Sequence, residues 1–317
     1  MTKLLVTGAL GHIGSRFVRQ LEPAVFEAVS LLDNLSTQRY GSLFDLPTGT
    51  GFRFFEEDVC TANLDDYLDG VDVVVHLAAI TDAESSVSIP EATERTNFGG
   101  TERVARACAR SGSRLIFLST TSVYGPQGGM VDEGSGPDVL RPQSPYAESK
   151  LRAERLLQEI GETQGLRFVI CRFGTIFGTS PGMRFHTAIN KFVWQACTGK
   201  PLTIWRTAVD QMRPYLDLGD AVAALNFILR EQLFDGQVYN VLTLNATIGQ
   251  IVGTISSYLP DVAVEYVDSP IMNQLSYEVS NRRFMELGFE FKGDLDCGIR
   301  ETVQLLAGLG AMEELSS

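Results

Sequence analysis

The stretch TGALGHIG, residues 7–14, follows a short apolar run at the start of the chain and precedes a segment of helical periodicity. Its three glycines have the spacing GxxGxxG. Glycines so placed permit a tight turn and let the backbone approach a pyrophosphate, while the next helix turns its N–H groups toward the anion. A lone glycine triplet is weak evidence, because a plain strand-to-helix turn can carry the same residues. The motif therefore predicts a dinucleotide site only if the surrounding elements have the right order.

Strand-like runs and longer helical segments alternate on both sides of this motif. Continuous apolar runs such as Val73–Val75 suit strands that are buried on both faces. Helical segments are predicted over 88–111, 144–163, 218–231 and about 294–309, and strands over Lys3–Thr7, Ala28–Asp33, Phe52–Glu56, Val71–His76, Arg114–Ser119 and Phe168–Arg172. The alternation predicts an α/β fold with a doubly wound (Rossmann) parallel sheet, whose ligands bind at the carboxyl ends of the strands.

The acidic residue at the end of the second predicted strand indicates which dinucleotide is bound. Asp33 lies 19 residues after Gly14, where a carboxylate can bind both hydroxyls of the adenosine ribose. The same carboxylate would repel a 2′-phosphate, so NAD is favoured over NADP, although Arg39 could accommodate that phosphate. Asp58 and Val59 close the third strand and could meet the adenine edge. A helix N-cap would explain Asp58 equally well.

Composition restricts the partners and the compartment. Among 317 residues, 26 Lys and Arg face 39 Asp and Glu, a net charge of −13 that repels phosphate backbones and anionic lipid. We therefore expect no nucleic-acid partner and no membrane partner, and no apolar run approaches the ~18–20 residues that span a bilayer. The first strand begins at Lys3, which leaves no room for a signal peptide. The five scattered cysteines indicate reduced thiols, a cytoplasmic location and no metal site.

The repeating strand and helix signals weaken after about residue 175, where glycine and proline become frequent. We expect an NAD-binding Rossmann domain over 1–172, with 214–242 returning to it. Residues 173–213 and 243–317 are expected to form a smaller, interleaved α/β lobe that binds the substrate.

Tyr146 and Lys150 form a YxxxK pair that lies on one face of the helix predicted over 144–163. An ammonium beside a phenol favours phenolate and lowers the phenol pKa from about 10 toward the working pH. Such a phenol is a general base for an alcohol that is oxidised by hydride transfer. The pair follows a strand that ends in the hydroxyl-rich run STTSVYG (119–125), so both motifs are expected at the same sheet edge.

Together these motifs resemble an extended short-chain dehydrogenase/reductase of the NAD-dependent nucleotide-sugar epimerase/dehydratase group. The residues that carry the resemblance are TGALGHIG (7–14), LLDNLS (31–36), EDV (57–59), HLAA (76–79), TNFGGT (96–101), STTSVYG (119–125), SPYAESK (144–150), RFGTIFG (172–178) and PLTIWRTAVDQMRPYLDLGDA (201–221). They cover nearly the whole chain in the order that the family has them.

The resemblance implies a role for each matching position. The catalytic residues are Thr120, Tyr146 and Lys150, with Tyr146 as the base. The implied contacts to NAD are Gly8, Gly11, His12, Ile13, Gly14, Asp33, Asn34, Ser36, Asp58, Val59, Leu77, Ala78, Ala79, Asn97, Tyr146 and Lys150. The implied contacts to a nucleotide-sugar substrate are Thr121, Ser122, Thr175, Asn190, Trp205 and Arg213. The family also pairs its two long helices across a two-fold axis, which implies a homodimer.

Several of these positions have a second explanation. Arg213 resembles the arginine that binds the nucleotide diphosphate, although a surface ion pair would also account for it. Packing alone could explain Thr175 and Trp205, and a polar contact inside a helix could explain Asn97. His76 ends a strand and is expected to pack as a structural residue, whereas His186 could serve as an acid in a reductase.

Departures from the family pattern bear on the reaction. Dehydratases of this group have an Asp-Glu pair directly after the triad hydroxyl, where this chain has Thr121 and Ser122. Neither hydroxyl can do that acid–base work. We expect a 4-epimerase of the UDP-hexose or UDP-uronate type that acts through a transient 4-keto intermediate. The threonine at position 175 resembles the pattern of the 4-epimerases that act on uronates. The alternative is an NAD(P)-dependent reductase of a 4-keto nucleotide sugar; a 4,6-dehydratase or decarboxylase fits less well.

Overall fold

The computed structural model describes residues 2–22, 25–126, 129–268, 276–306 and 308–309. The strands are β1 (Thr2–Thr7), β2 (Phe26–Asp33), β3 (Gly51–Glu56), β4 (Val73–His76), β5 (Arg114–Thr120), β6 (Met130–Val131), β7 (Phe168–Phe173), β8 (Thr175–Phe177), β9 (Leu202–Trp205), β10 (Met212–Asp217), β11 (Val238–Val241), β12 (Leu244–Thr247), β13 (Val264–Val267) and β14 (Glu278–Val279). The α-helices are α1 (His12–Phe17), α2 (Asp65–Leu68), α3 (Pro90–Thr93), α4 (Gly100–Ser111), α5 (Pro145–Gln164), α6 (Ala188–Cys197), α7 (Leu218–Glu231), α8 (Ile248–Tyr258), α9 (Arg282–Met285) and α10 (Leu295–Leu306).

The central sheet has seven parallel strands in the order β11-β7-β5-β4-β1-β2-β3. All six predicted strands lie in it, and the doubly wound sheet is confirmed. The seventh, β11, lies at the edge beside β7 and was missed, because it has only four residues and no repeating pattern around it. The order turns back at β1 and β4, and in such sheets ligands bind in the crevice at that point.

Both faces of the sheet bury apolar side chains, which explains why the sequences of its strands are continuous hydrophobic runs. Leu4 and Val6 on β1 join the core beneath α1 and α7, whereas Leu5 joins the core beneath α4 and α5. Val74 in the neighbouring strand is likewise completely buried. Helices therefore cover both faces, and each strand residue buries apolar surface whichever way it points.

The long helices around the sheet begin and end at recognisable residues. Helix α5 begins after Ser144, whose hydroxyl accepts a hydrogen bond from Ala147 N at 3.2 Å, and ends at Gly165 with a φ of 73°. Helix α7 has the predicted bounds, and α10 ends before the predicted residue 309. The helix predicted over 88–111 is interrupted: a π-helical turn, Glu94–Gly99, separates α3 from α4.

Smaller sheets occupy the second half of the chain. Strands β12, β10 and β8 form one sheet, and β13 pairs with β9. With α6, α8 and α10 they enclose a separate apolar core that includes Phe177, Ile189 and Ile251. The predicted boundaries between the two lobes stay a prediction.

A buried polar network ties α5 to the sheet. Arg172 on β7 forms an ion pair with Glu154 on α5, with 2.6 Å between Nη2 and Oε2 and side chains only 7% and 3% exposed. Arg172 also donates to the Tyr124 hydroxyl at 2.8 Å, and Ser119 Oγ donates to Glu154. The Tyr124 hydroxyl donates to Asn240 on β11 at 2.9 Å. Each charge is thus hydrogen-bonded, as a buried ion pair requires.

We predict that Arg172→Met lowers the free energy of unfolding by about 3–5 kcal/mol, because it leaves the Glu154 carboxylate buried without its counter-ion. Urea denaturation would measure the change. Arg282→Met is the control: its ion pair with Glu286 is exposed, so it should cost less than about 1 kcal/mol. Equal effects of the two substitutions would contradict the prediction.

Candidate active site

The glycine loop between β1 and α1 lies against the segment that follows β4. Gly8 has a φ of +66°, and a Cβ added there would lie 2.5 Å from the backbone nitrogen of Ala78 and 2.7 Å from the carbonyl carbon of Leu77. A side chain has no room at this position, so only glycine allows the two loops to approach so closely. The structure therefore brings the predicted cofactor residues Gly8, Leu77 and Ala78 together, with Ala79 next along the chain.

Asp33 lies at the same sheet edge, beside the glycine loop. Its carboxylate accepts hydrogen bonds from Leu10 N at 3.1 Å and from Leu35 N at 3.0 Å. Two further predicted residues continue this edge: Asn34 Nδ2 donates to the Asp58 carboxylate at 3.1 Å, and Ser36 N donates to Asn34 Oδ1 at 3.0 Å. The ends of β1, β2 and β3 thus form one polar rim.

Some predicted cofactor residues use their side chains to stabilise the loops of the polar rim or to pack against the core. Asp58 Oδ1 accepts from Cys60 N at 2.8 Å and closes a turn; because α2 begins only at Asp65, the helix N-cap explanation of Asp58 is wrong. Its pKa is lowered because the hydrogen bonds from Cys60 and Asn34 outweigh the opposing effect of burial. The Val59 side chain is only 3% exposed and belongs to the core, and Ile13 packs against the core.

Asn97 and His76 hold the segment after β4 in place. Asn97, in the π-helical turn, is fully buried; it accepts from Ile80 N at 2.8 Å and donates to Ile80 O at 2.9 Å. The His76 ring bonds the hydroxyls of Thr7 at 2.7 Å and Thr101 at 3.0 Å. Burial, with a smaller effect of Lys150, lowers the pKa of His76 to about 3, so the ring is neutral. His76 is the packed structural residue that the sequence predicts.

The three predicted catalytic side chains meet where β5 ends against α5. Tyr146 lies beside Thr120, whose side chain lowers the pKa of the phenol. Lys150 is buried, donates from Nζ to Leu118 O at 2.8 Å and lies 4.8 Å above the centre of the Phe117 ring. Burial lowers the pKa of Lys150 to about 8.

The pKa of Tyr146 differs from expectation. The sequence argument expected the Lys150 ammonium to lower it, but burial raises the pKa of Tyr146 to about 12, although the Thr120 hydrogen bond acts in the opposite direction. The reason is geometric, since Lys150 Nζ is directed at the backbone of β5 and at an aromatic ring. Desolvation of the phenol therefore dominates in this structure.

Two predicted substrate contacts are engaged elsewhere. Thr121 is only 1% exposed, and its hydroxyl donates to Phe173 O at 3.3 Å. Asn190 is fully buried, and its amide accepts from Gly178 N at 3.2 Å and donates to Gly178 O at 3.1 Å. In this geometry both side chains hydrogen-bond the backbone around the site, and their contacts to a substrate stay a prediction. Ser122 and Thr175 are half-buried, and their contacts to a substrate likewise stay a prediction.

Arg213 lies on β10, and only part of its guanidinium has a hydrogen-bond partner. Its Nη2 donates to Gln211 Oε1 at 3.2 Å, but its Nε is buried without a hydrogen-bond partner, and within the described ranges it forms no ion pair. A surface ion pair therefore does not explain this residue, and a buried donor of this kind calls for an acceptor from a ligand. Trp205 ends β9 and is half-buried.

The segment Thr179–Thr187, here called the crossing loop, was not predicted to reach the glycine loop. Ser180 Oγ is 2.7 Å from His12 Nδ1, and Gly182 N donates to Ser15 Oγ at 2.9 Å. A Cβ at Gly182 would lie 2.2 Å from Leu10 O, so the two loops touch through their backbones. The one sequence signal was a histidine inside the glycine loop, whose polar ring needs a partner.

A comparison with known proteins agrees with this site. The family model described as the NAD dependent epimerase/dehydratase family matches residues 4–241. The chain belongs to this family. The resemblance seen in the sequence is thus confirmed, and the chain is an NAD-dependent enzyme of the extended short-chain dehydrogenase/reductase group.

Three similar proteins illustrate the range of activities in the family. An uncharacterized UDP-glucose epimerase of Bacillus subtilis (strain 168), YtcB, is 33% identical over 250 residues, which are 75% of this chain and 76% of that protein. The UDP-glucuronic acid 4-epimerase of Bacillus cereus, solved with UDP-glucuronic acid and NAD, has a TM-score of 0.85 at 26% identity, covering 97% of this chain and 100% of its own. The dTDP-glucose 4,6-dehydratase DesIV of Streptomyces venezuelae, solved with NAD, has a TM-score of 0.85 at 27% identity, covering 96% of each chain.

The residues at the rim fit NAD. Gly8 lets the glycine loop pack against the segment after β4, and the buried Nε2 of His12 in that loop has no hydrogen-bond partner. None of the helices in the described part of the chain combines the length and hydropathy of a membrane span. Within the same residues, no three His, Cys, Asp or Glu side chains are placed so that they could hold a metal ion.

We predict that Asp33→Ala weakens NAD binding about 10- to 100-fold, since hydrogen bonds to a charged group contribute about 1.5–3 kcal/mol. The affinity for NADP should change less, so the difference between the affinities for NAD and NADP becomes smaller. Titration calorimetry would measure both, with the exposed Asp69→Ala as the control. Equal affinity of the unmodified protein for NAD and NADP would rule out this role of Asp33.

Proposed function

We propose that this protein is an NAD-dependent nucleotide-sugar 4-epimerase of the UDP-hexose or UDP-uronate type. One observation carries the proposal: Thr120, Tyr146 and Lys150 meet at the end of β5, while Thr121 and Ser122 stand where a dehydratase has its acid–base pair. Epimerisation at C4 needs only this triad and a bound dinucleotide, because the same carbon loses and regains its hydride.

Tyr146, Thr120 and Lys150 have different roles in the transfer of the proton. Tyr146 takes the proton from the sugar 4-hydroxyl and returns it to the 4-keto intermediate, and Thr120 hydrogen-bonds the same oxygen. NAD, when bound, supplies the hydride acceptor. Because burial raises the pKa of Tyr146 to about 12, the phenol is protonated before substrate binds. Its pKa must fall in the complex, and Lys150, one helical turn further on, is the cation that the chain provides for this.

The substrate class is supported by charge and by similarity. Arg213 has a buried, unpartnered Nε in a protein with a net charge of −13, as a site for a nucleotide diphosphate would need. Ser122 and Thr175 offer neutral hydroxyls, which can hold a sugar carboxylate without promoting its loss. The similar enzyme from Bacillus cereus acts on UDP-glucuronic acid by name, which favours a uronate among the candidates.

Product analysis tests the reaction. The protein should convert a UDP-hexose or UDP-uronate labelled with deuterium at C4 into its 4-epimer with the label retained, because the hydride returns to the same carbon. Incubation with UDP-glucuronate, UDP-glucose and their N-acetyl relatives, followed by NMR, would identify the product. A 4-keto-6-deoxy sugar would indicate a dehydratase, a pentose a decarboxylase, and stoichiometric consumption of NADH the alternative reductase. Each of these results would refute the proposal.

The base is tested separately with Tyr146→Phe, which keeps the ring and removes the hydroxyl. General acid–base catalysis contributes roughly 10²–10⁴-fold, so the epimerisation rate should fall at least that far while NAD still binds. Tyr258→Phe is the matched control, since that hydroxyl on α8 bonds the exposed Asp296 on α10. Activity of the Tyr146 variant within tenfold of the unmodified enzyme would contradict the assignment.

We further propose a homodimer in which α4 and α5 pair with the same helices of a second copy. Their outer surfaces carry charged side chains, among them Arg106 and Arg152, that pair within one copy. Light scattering at micromolar concentration should give twice the mass of one chain. A monomer under those conditions would exclude the dimer.

A further inference from the structure

A buried carboxylate lies one helical turn beyond Lys150 on α5. Lys150 and Glu154 are both buried, and because they are four residues apart on one helix, their side chains lie on the same face. There they bind consecutive residues of β5: Lys150 Nζ donates to Leu118 O at 2.8 Å, and Ser119 Oγ donates to Glu154 Oε1. Two opposite charges are thus held against the same strand, in a part of the protein that is closed to solvent.

Glu154 makes its direct ion pair with Arg172 and not with Lys150. Arg172 Nε lies 3.0 Å from Oε1 and 3.2 Å from Oε2 of Glu154, and Arg172 Nη2 lies 2.6 Å from Oε2. The remaining nitrogen of the guanidinium, Nη1, donates to the Tyr124 hydroxyl at 2.8 Å. Any effect of Glu154 on Lys150 therefore acts through space, over a distance at which charges still interact strongly when water is excluded.

The other groups around the Lys150 ammonium bring no negative charge. On β5 a backbone carbonyl and the Phe117 ring face it. His76, at the end of β4, is close enough for Lys150 to lower its pKa, and with a pKa of about 3 the ring is neutral. Burial raises the pKa of Tyr146, on α5, to about 12, so its phenol is neutral as well. Among the residues that the structure describes, only Glu154 raises the pKa of Lys150.

Lys150 keeps its charge by a small margin. Burial lowers the pKa of Lys150 to about 8, although Glu154 acts in the opposite direction. At pH 7 the ammonium is therefore still protonated, with a pKa only about one unit above that pH. A buried ammonium that loses its counter-charge gives up its proton, because water no longer stabilises the ion. Without the carboxylate, Lys150 would be a neutral amine over much of the range above pH 7.

We propose that Glu154 is a positioning residue for the reaction: its negative charge holds Lys150 as an ammonium, and the ammonium in turn makes Tyr146 a base. This deepens the proposed function, which rests on the same pair of side chains. In each turnover the proton moves between the sugar hydroxyl and the phenol, while Lys150 keeps its own proton. Glu154 is buried, so it acts on the reaction only through Lys150.

The first test titrates Lys150 directly, in the ligand-free protein. The chain has five lysines, so labelling lysine with ¹³C gives few NMR signals, and Lys150→Met identifies the signal of Lys150. We expect Lys150 to titrate near pH 8 in the unmodified protein and roughly one unit or more lower in Glu154→Gln. Glu159→Gln is the matched control, since it makes the same change at an exposed position of α5 and should leave the titration unchanged.

The second test follows the epimerisation rate against pH. The ratio of kcat/KM in Glu154→Gln to that in the unmodified enzyme should fall about tenfold between pH 6 and pH 9, since one unit of pKa is a factor of ten in the charged fraction of Lys150. If Glu154 only anchored α5, the rate would fall by the same factor at every pH. The pH dependence of the ratio therefore separates the effect of charge from that of structure.

A double variant removes the effect of Arg172. Glu154→Gln leaves the guanidinium buried without its counter-ion, which costs stability, whereas Glu154→Gln/Arg172→Met removes both charges and is expected to cost less. The double variant should therefore have a higher urea midpoint than the single one. Its Lys150 should still titrate below that of the unmodified protein, and its rate ratio should still fall with pH, because the carboxylate is absent from both variants.

Three results would overturn the proposal: a Lys150 titration that Glu154→Gln leaves unchanged, a rate ratio that is constant between pH 6 and pH 9, or a double variant that titrates as the unmodified protein does. Failure of the proposed function looks different. The unmodified protein would then give no 4-epimer, while the titration of Lys150 in the ligand-free protein would still respond to the loss of Glu154.

Discussion

The position of α5 on the sheet depends on one buried ion pair, between Glu154 and Arg172. Taking two charges out of water is costly, and here Ser119 and Tyr124 supply the further hydrogen bonds that make it tolerable. The pair joins α5 to β7, and through Tyr124 and Asn240 the network extends to β11 at the sheet edge. Lys150 lies one helical turn before Glu154 on α5, and Tyr146 lies one turn before Lys150. The ion pair of Glu154 with Arg172 therefore fixes the positions of both side chains relative to the sheet.

Burial sets the proton affinities of the site. The phenol of Tyr146 and the ammonium of Lys150 are both disfavoured as ions, which raises the pKa of one and lowers the pKa of the other. At neutral pH the ligand-free site therefore holds a protonated phenol beside a lysine that is still charged. The phenol becomes a base only when positive charge comes close to it, and Lys150, one helical turn along α5, is the cation that the chain provides for this.

The acidic chain contains a few basic side chains that are placed to bind anions. The net charge of −13 repels anions over most of the surface, yet Arg213 on β10 and His12 in the glycine loop have buried nitrogens without a hydrogen-bond partner. His12 precedes Thr120, Tyr146 and Lys150 in the chain, and Arg213 follows them. His12 and Arg213 are suited to two anionic ligands, the diphosphate of a nucleotide sugar and the pyrophosphate of a dinucleotide, which a hydride-transferring epimerase has to hold together.

The sequence by itself determined the parallel sheet and its six principal strands, and it predicted that Thr120, Tyr146 and Lys150 lie together. This succeeded because strands buried on both faces are continuous apolar runs, and because Tyr146 and Lys150 are four residues apart on one helix. Tertiary structure alone decided that Asn97 and Asn190 hydrogen-bond the backbone of Ile80 and Gly178, and that burial raises the pKa of Tyr146. It also joined His12 to Ser180, which lies 168 residues further along the chain. Such pairings depend on how separate segments pack in three dimensions, and no spacing along the chain records them.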